Sequence, residues 1–212
     1  MTYRELVYMC LDEIKLASDD SYITEDHILF LISKYRAFLL RQKYEKTNMP
    51  APMSNYQLLT ITDLKNSIPL PMNMAIPRVV VTLSDKSNKK ATFVSPHRFE
   101  FVGENKSLQS FIYCTLGKSN TMQFKNLPAS NTISSYDIYA LFEDCVKASE
   151  FNATGDILDE ECPIESELVA GVQELVVKDA LGIAYRPKDN INNANDDLSS
   201  LGVASGNPKN NK

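Results

Sequence analysis

The sequence is poor in the residues and motifs that enzymes use. Seven glycines among 212 residues are few for a nucleotide-binding enzyme, and no Gly-x-x-x-x-Gly-Lys phosphate loop is present. The chain has two histidines, no Gly-x-Ser-x-Gly elbow and no Cys-x-x-Cys pair. We therefore expect a protein that is not an enzyme and that binds neither a cofactor nor a metal.

Long apolar runs are missing as well. No segment has the roughly 18 uninterrupted apolar residues that a membrane span needs, and the N-terminus lacks the pattern of a signal peptide. We expect synthesis in the cytoplasm of the producing cell, where free thiols are favoured over disulfides. The cysteines are widely scattered, at Cys10, Cys114, Cys145 and Cys162.

The net charge of −5 hides an asymmetry along the chain. Residues 150–179 contain nine acids and one base, a net charge of −8, whereas the rest of the chain carries +3. Two interpretations stay open for the acidic segment. It either forms a solvated face, or it meets the basic end of the second helix, within a subunit or across a subunit boundary, because complementary charges set orientation.

The first 47 residues are typical of two amphipathic helices joined by the polar turn Ser18–Ser21. Thr2 and Glu5 fit a capping box at the start of the first helix, which we expect to end near Ala17. Thr24 is predicted to cap the second helix. Acids lie in the first turn of that helix and bases in its last turns, the order that the helix dipole favours.

The second helix carries more apolar surface than one partner helix covers. Its apolar residues form a broad stripe, and Phe30, Phe38 and Leu40 extend the stripe around the helix. We expect another layer of this chain, or another chain, to cover that band.

The middle of the chain changes from a proline-rich connector to a β-rich region. Five of the ten prolines lie in residues 48–77, which we expect to run extended, with a brief strand or helical turn over Gln57–Leu64. Alternating and β-branched residues then predict strands at 79–83, 92–94, 98–102, 110–116, 121–125 and 135–142. The last of these also fits a helix through Cys145.

The C-terminal part begins with an acidic linker at 152–161. Pro163 stands where the start of a third helix tolerates proline, and Gly182 is well placed to end that helix. The last residues, from Ile191 to Lys212, are rich in asparagine and contain little that could pack, so we expect a tail that is flexible or ordered by a partner.

These patterns predict an α+β fold. An N-terminal helical hairpin and a C-terminal helix pack together, and a small antiparallel β-sheet or sandwich is inserted between them. The expected divisions are the helical hairpin 1–47, the connector 48–77, the β domain 78–151, the acidic linker and closing helix 152–189, and the tail 190–212.

Candidate sites for chemistry are weak. His97 lies near serines and would need Cys114 or a serine as nucleophile to act in a small enzyme, the alternative function that the residues allow. The acids between Asp156 and Glu161 could ligate a hard cation, but they lack the spacing of a calcium loop and read better as a solvated linker.

Four stretches carry a resemblance to a known family. They are Asp19-Asp20-Ser21-x-Ile23-Thr24 with the helix from Ile28 to Tyr44, Arg98-Phe99-x-Phe101-Val102-Gly103 with Ile112-Tyr113, Ala140-x-Phe142-Glu143-Asp144, and Pro163-Ile164 through Lys178-Asp179 with Asn192–Leu198. Together they resemble the neck or tail-adaptor (ring) proteins of short-tailed bacteriophages, in particular structural proteins of the crAss-like phages. In the third stretch Cys145 stands where the family usually has proline.

The resemblance implies a virion protein made in the host bacterial cytoplasm. Many copies would form a ring that bridges the portal and the tail and encloses the DNA channel. In this family such rings are usually homododecamers. The expected partners are further copies, the portal protein and other neck rings, with DNA as transiting cargo and no membrane. An acidic lumen would not trap DNA phosphates. A third possible function, besides ring assembly and catalysis, is that of a soluble phage-encoded binding module.

A ring contact of the head-to-tail kind gives each subunit two different complementary faces, which would explain the wide apolar band of the second helix. The expected assembly contacts are Phe30, Arg36, Phe38, Leu40, Arg41, Lys43, Glu165 and Glu167.

Overall fold

The computed structural model describes residues 1–17, 23–47, 49–103, 109–128 and 132–184. Its fold is α+β, as expected. The helices are α1 (Tyr3–Ala17), α2 (Glu25–Leu40), α3 (Pro96–Phe99), α4 (Cys145–Glu150) and α5 (Ser166–Ala184). The strands are β1 (Gln57–Ile61), β2 (Arg78–Leu83), β3 (Asn88–Phe93), β4 (Ile112–Leu116), β5 (Met122–Lys125) and β6 (Ile133–Ala140).

Both N-terminal helices begin where the sequence predicts. The Thr2 backbone N–H donates to Glu5 Oε2 at 2.9 Å, and the Glu5 N–H donates to Thr2 Oγ1 at 3.2 Å, which completes the capping box. Thr24 Oγ1 accepts from the His27 N–H at 3.3 Å. α1 ends at Ala17, as expected. The predicted turn at 18–21 and the tail at 190–212 lie outside the described residues.

α1, α2 and α5 form a three-helix layer around a shared apolar core. α5 begins at Ser166, and it continues past Gly182 to Ala184, so the predicted C-terminal stop at Gly182 was wrong. A Cβ added to Gly171 would lie 3.2 Å from Leu39 Cδ1, so the absent side chain lets α5 approach α2 closely.

The strands form one mixed sheet in the order β1-β6-β2-β3-β4-β5, not a sandwich. Four pairs are antiparallel, as predicted, but β3 and β4 are parallel. A parallel pair needs a long connection, and residues 94–111 separate these two strands in the sequence. β1, which lies within the proline-rich connector, is a full member of the sheet.

The strand predicted at 98–102 was wrong. Pro96 instead occupies the first turn of α3, where its missing N–H costs nothing, and the N–H groups of Arg98 and Phe99 both donate to Ser95 O. The alternation of Phe99 and Phe101 matches the two-residue period of a strand, but this segment does not form a strand.

α4 connects the helical layer to the sheet. β6 is a strand that ends at Ala140, and α4 begins at Cys145 with Asp144 as its N-cap. Along α4, Cys145 is buried in the helical core and Ala148 in the core of the sheet. The sheet therefore has a fixed position relative to the three helices.

Candidate assembly surfaces

One buried arginine fixes the inner face of α2. Arg36 is fully buried and donates to three backbone carbonyls: Nε to Pro163 O at 2.6 Å, Nη1 to Phe142 O at 3.1 Å and Nη2 to Asn55 O at 2.7 Å. These carbonyls belong to the segment before α5, the segment after β6 and the turn before β1. A planar guanidinium with five donors can join three such segments at once.

A second polar contact holds α2 against α4. Ser33 Oγ donates to Asp144 Oδ1 at 3.1 Å and accepts from the Cys145 N–H at 3.1 Å. A proline at position 145 would have no N–H to donate. The Cys145 N–H therefore contributes a hydrogen bond between the β6–α4 segment and α2.

With its inner face fixed, α2 points two phenylalanines outward. Phe30 is 62% exposed and Phe38 is 54% exposed, and Lys34 lies between them on the same helix face. The two rings are eight residues apart, about 12 Å along the helix axis at about 1.5 Å per residue. Phe38 also borders a shallow depression of about 390 Å³. We call Phe30, Lys34 and Phe38 the α2 surface.

The predicted assembly contacts divide into three groups. Phe30, Phe38 and Arg41 are exposed, and their role as contacts stays a prediction. Leu40 and Arg36 were wrong as surface contacts, because both are fully buried within this chain. Leu40 packs into a small core with Tyr44, Met72 and Leu141, and Arg36 is held by the carbonyls described above.

The remaining predicted contacts pair with each other. Lys43 Nζ lies 3.2 Å from Glu165 Oε1 and 2.9 Å from Glu167 Oε2, and Tyr44 Oη donates to both oxygens of Glu165. The ammonium group of Lys43 holds the pKa of Glu167 below its usual range. The acidic segment thus meets the basic end of α2 inside one subunit.

Other ion pairs repeat this arrangement. Lys34 Nζ lies 2.9 Å from Asp179 Oδ2, which also accepts from Tyr35 Oη at 2.8 Å, and Arg41 pairs with Glu143. The hydrogen bonds from Lys34 and then Tyr35 lower the pKa of Asp179. The bases of α2 that pair here are therefore already engaged within the chain.

The outer face of the sheet forms a second exposed apolar surface, which the sequence patterns did not reveal. Met53 is 70% exposed and Leu58 is 52% exposed, and both line a depression of about 390 Å³ with Val80 and Tyr139. Arg78 and Asp137 also line it. Met53 belongs to the turn before β1, so only the strand register brings these residues together. We call this set the sheet surface.

A third exposed apolar set lies on α1. Tyr8 is 43% exposed, Met9 42% and Leu16 88%. The exposed residues between them include Asp12 and Glu13. We call these five residues the α1 surface.

The two residues of the alternative catalytic pair, His97 and Cys114, differ in their exposure to solvent. His97 is exposed on α3, whereas Cys114 is fully buried in β4. Burial raises the pKa of the Cys114 thiol to about 12, so it is not the thiolate that nucleophilic attack requires at neutral pH. All four cysteines are free and buried.

The described residues contain no group of three or more His, Cys, Asp or Glu side chains placed to hold a metal ion. No helix in the described part of the chain has the length and apolar character to cross a membrane.

Comparison with known proteins identifies the family of this chain. A family model described as phage tail ring protein 2 matches residues 5–198. The chain belongs to this ring protein family. Ring protein 2 of Bacteroides phage crAss001 is 40% identical over 223 residues, which cover 93% of this chain and 98% of the relative. The resemblance drawn from the sequence is therefore confirmed, and the chain is a structural protein of a phage ring.

Proposed function

We propose that this ring-family protein forms an oligomeric ring, a homododecamer, in the head-to-tail connector of a short-tailed phage. The ring bridges the portal and the tail and encloses the DNA channel. The protein is made in the host bacterial cytoplasm and then becomes part of the virion.

The observation that carries the proposal is the exposed α2 surface on a rigidly fixed helix. Phe30 and Phe38 keep more than half of their area in solvent, although α2 is tied down on its other face by Arg36. Aromatic side chains that anchor interfaces supply much of the binding free energy when a partner buries them. We therefore assign the α2 surface to contacts with the portal or an adjoining ring.

The charge of the chain supports a passage role. Its net charge is −5, so a lumen lined by its acids would repel DNA phosphates and let DNA pass without being held. A strongly basic lumen would bind the same phosphates.

The proposal is tested with Phe30→Ser/Phe38→Ser, measured by co-sedimentation with the portal and ring proteins of the same phage and by negative-stain imaging. We expect at least about a tenfold loss of binding, since truncation of a buried interfacial aromatic costs about 2 kcal/mol or more. Phe101→Ser/Phe111→Ser is the matched control, because those rings are 70% and 53% exposed but lie on the crossover after β3.

Two results would contradict the proposal. One is a wild-type protein that associates neither with itself nor with the portal and ring proteins. The other is a double variant at positions 30 and 38 that still assembles as the wild type does.

A further inference from the structure

We propose that neighbouring copies in the ring contact each other through the sheet surface of one copy and the α1 surface of the next. This inference rests on the proposed ring function and adds to it which faces meet between copies. It follows from how charge and exposed apolar side chains are distributed over the described residues.

The sheet region is basic. Residues 78–125 contain eight bases and three acids, a net charge of +5, while the whole chain carries −5. Arg78 and Lys90 lie on the outward-facing side of β2 and β3, next to the apolar sheet surface. Lys86 and Lys89 are exposed in the same β2–β3 hairpin.

The bases of the sheet region differ from those of α2 in their pairing. In the described part of the chain, Arg78, Lys86, Lys89 and Lys90 form no ion pair. By contrast, ion pairs engage Lys34 of α2 and also Arg41 and Lys43 in the π-helical turn Arg41–Glu45 that follows α2. On the sheet surface itself, the single acid Asp137 accepts a hydrogen bond from Thr60 Oγ1 at 2.8 Å. The sheet surface is therefore apolar with a basic border.

The α1 surface has the opposite character. Its exposed apolar side chains, Tyr8, Met9 and Leu16, are interleaved with Asp12 and Glu13. Along α1, all of which is described, Lys15 is the one base among the exposed residues. Glu13 accepts from Gln173 Nε2 at 2.7 Å, and Asp12 forms no ion pair within the described residues. The α1 surface is apolar with an acidic border.

The charges at the borders of the two surfaces favour contact between unlike surfaces of neighbouring copies. Contact of the sheet surface with itself, or of the α1 surface with itself, would oppose like charges. Contact between the two different surfaces pairs opposite charges around apolar centres, which is the complementarity that specifies partners and orientation. Such a head-to-tail contact repeats from copy to copy and closes into a ring when the rotation permits.

The proposal is tested by reversing each surface and then mixing the two variants. Variant one is Arg78→Glu/Lys90→Glu, and variant two is Asp12→Lys/Glu13→Lys. Alone, each variant presents like charges at the contact, and we expect at least about a tenfold loss of self-association on the portal template. In an equal mixture the reversed sheet surface of variant one meets the reversed α1 surface of variant two, and the two native surfaces also match. We therefore expect the mixture to regain assembly with alternating copies.

The matched control is Lys65→Glu/Lys118→Glu. It changes the net charge by the same amount as variant one, at two exposed bases outside both surfaces. We expect this control to assemble like the wild type. Circular dichroism and thermal unfolding show that each variant is folded.

Several outcomes would overturn the inference. One is that either single-surface variant assembles as well as the wild type. Another is that an equal mixture of the two folded variants fails to assemble. Loss of DNA binding by variant one with unchanged self-association would assign the sheet surface to nucleic acid instead. A wild type that forms no assembly even with the portal would contradict the ring function itself, which is a different result from all of these.

Discussion

The two faces of α2 differ in how much of their surface the fold itself uses. Its inner face is buried and joined to three distant segments through Arg36, whereas its outer face leaves Phe30 and Phe38 largely in solvent. Hydrophobicity alone does not separate these roles, because the charged residue lies inside and the aromatic residues lie outside. From this difference we expect that the proposed assembly surface can be changed without loss of the fold.

The largest expected effect comes from the inner face. Arg36→Met removes the donors to three buried carbonyls, and each unpaired buried acceptor costs about 1 kcal/mol or more. We expect the free energy of unfolding to fall by at least about 3 kcal/mol in urea titrations. Arg36→Lys should recover only part of the lost free energy of unfolding, because an ammonium group does not reproduce the planar, forked donors of the guanidinium group.

The control for this prediction is Arg41→Met, which removes an exposed pairing with Glu143. An exposed ion pair contributes about 0 to 1 kcal/mol, so the control should stay close to the wild type. Equal destabilisation by the two substitutions would contradict the role assigned to Arg36.

A smaller effect is expected at the border between the two faces, where Lys34 and Tyr35 contact Asp179. The folded-state pKa of Asp179 is depressed below 3.8, so this interaction stabilises the fold above the unfolded pKa and is lost as the pH falls through the folded value. Asp179→Asn should lower the melting temperature near pH 7 by less than about 4 °C. The difference between wild type and variant should shrink below about pH 4. A difference that grows on acidification would contradict this assignment.

The smallest effect on stability is expected at the outer face. Phe30→Ser/Phe38→Ser replaces two exposed residues with one of similar helix propensity, so the free energy of unfolding should change by about 0.5 kcal/mol or less per site. Chemical denaturation of the isolated protein measures this. A loss of more than about 2 kcal/mol in total would mean that these rings belong to the fold and would remove the contrast between the faces.

Local signals in the sequence were enough to predict the caps of α1 and α2 and the hairpin of β4 and β5, whereas for β6 they left a helix open as well as a strand. Each of these depends on residues close together in the chain, such as Thr2 with Glu5. The apolar width of α2 predicted that one partner helix would not cover its band, but it left open whether this chain or another covers Phe30 and Phe38. It did not separate these residues from Leu40, whose covering residues Met72 and Leu141 are distant in sequence.

The features that were missed depend on long-range contacts. Arg36 reads as a surface base in a helix, and its three carbonyl partners are 19, 106 and 127 residues away. The parallel pairing of β3 and β4 and the sheet surface around Leu58 and Tyr139 arise only from the order of the strands. No periodicity within a single segment contains that information.

Electron cryomicroscopy of the neck of the phage particle is the most direct test of the central claim that α2 separates fold from assembly. We predict many copies of this chain arranged as a ring, with Arg36 enclosed by its own subunit and with Phe30 and Phe38 covered by another polypeptide. Particles without this protein, or a ring in which both phenylalanines face solvent, would contradict the account.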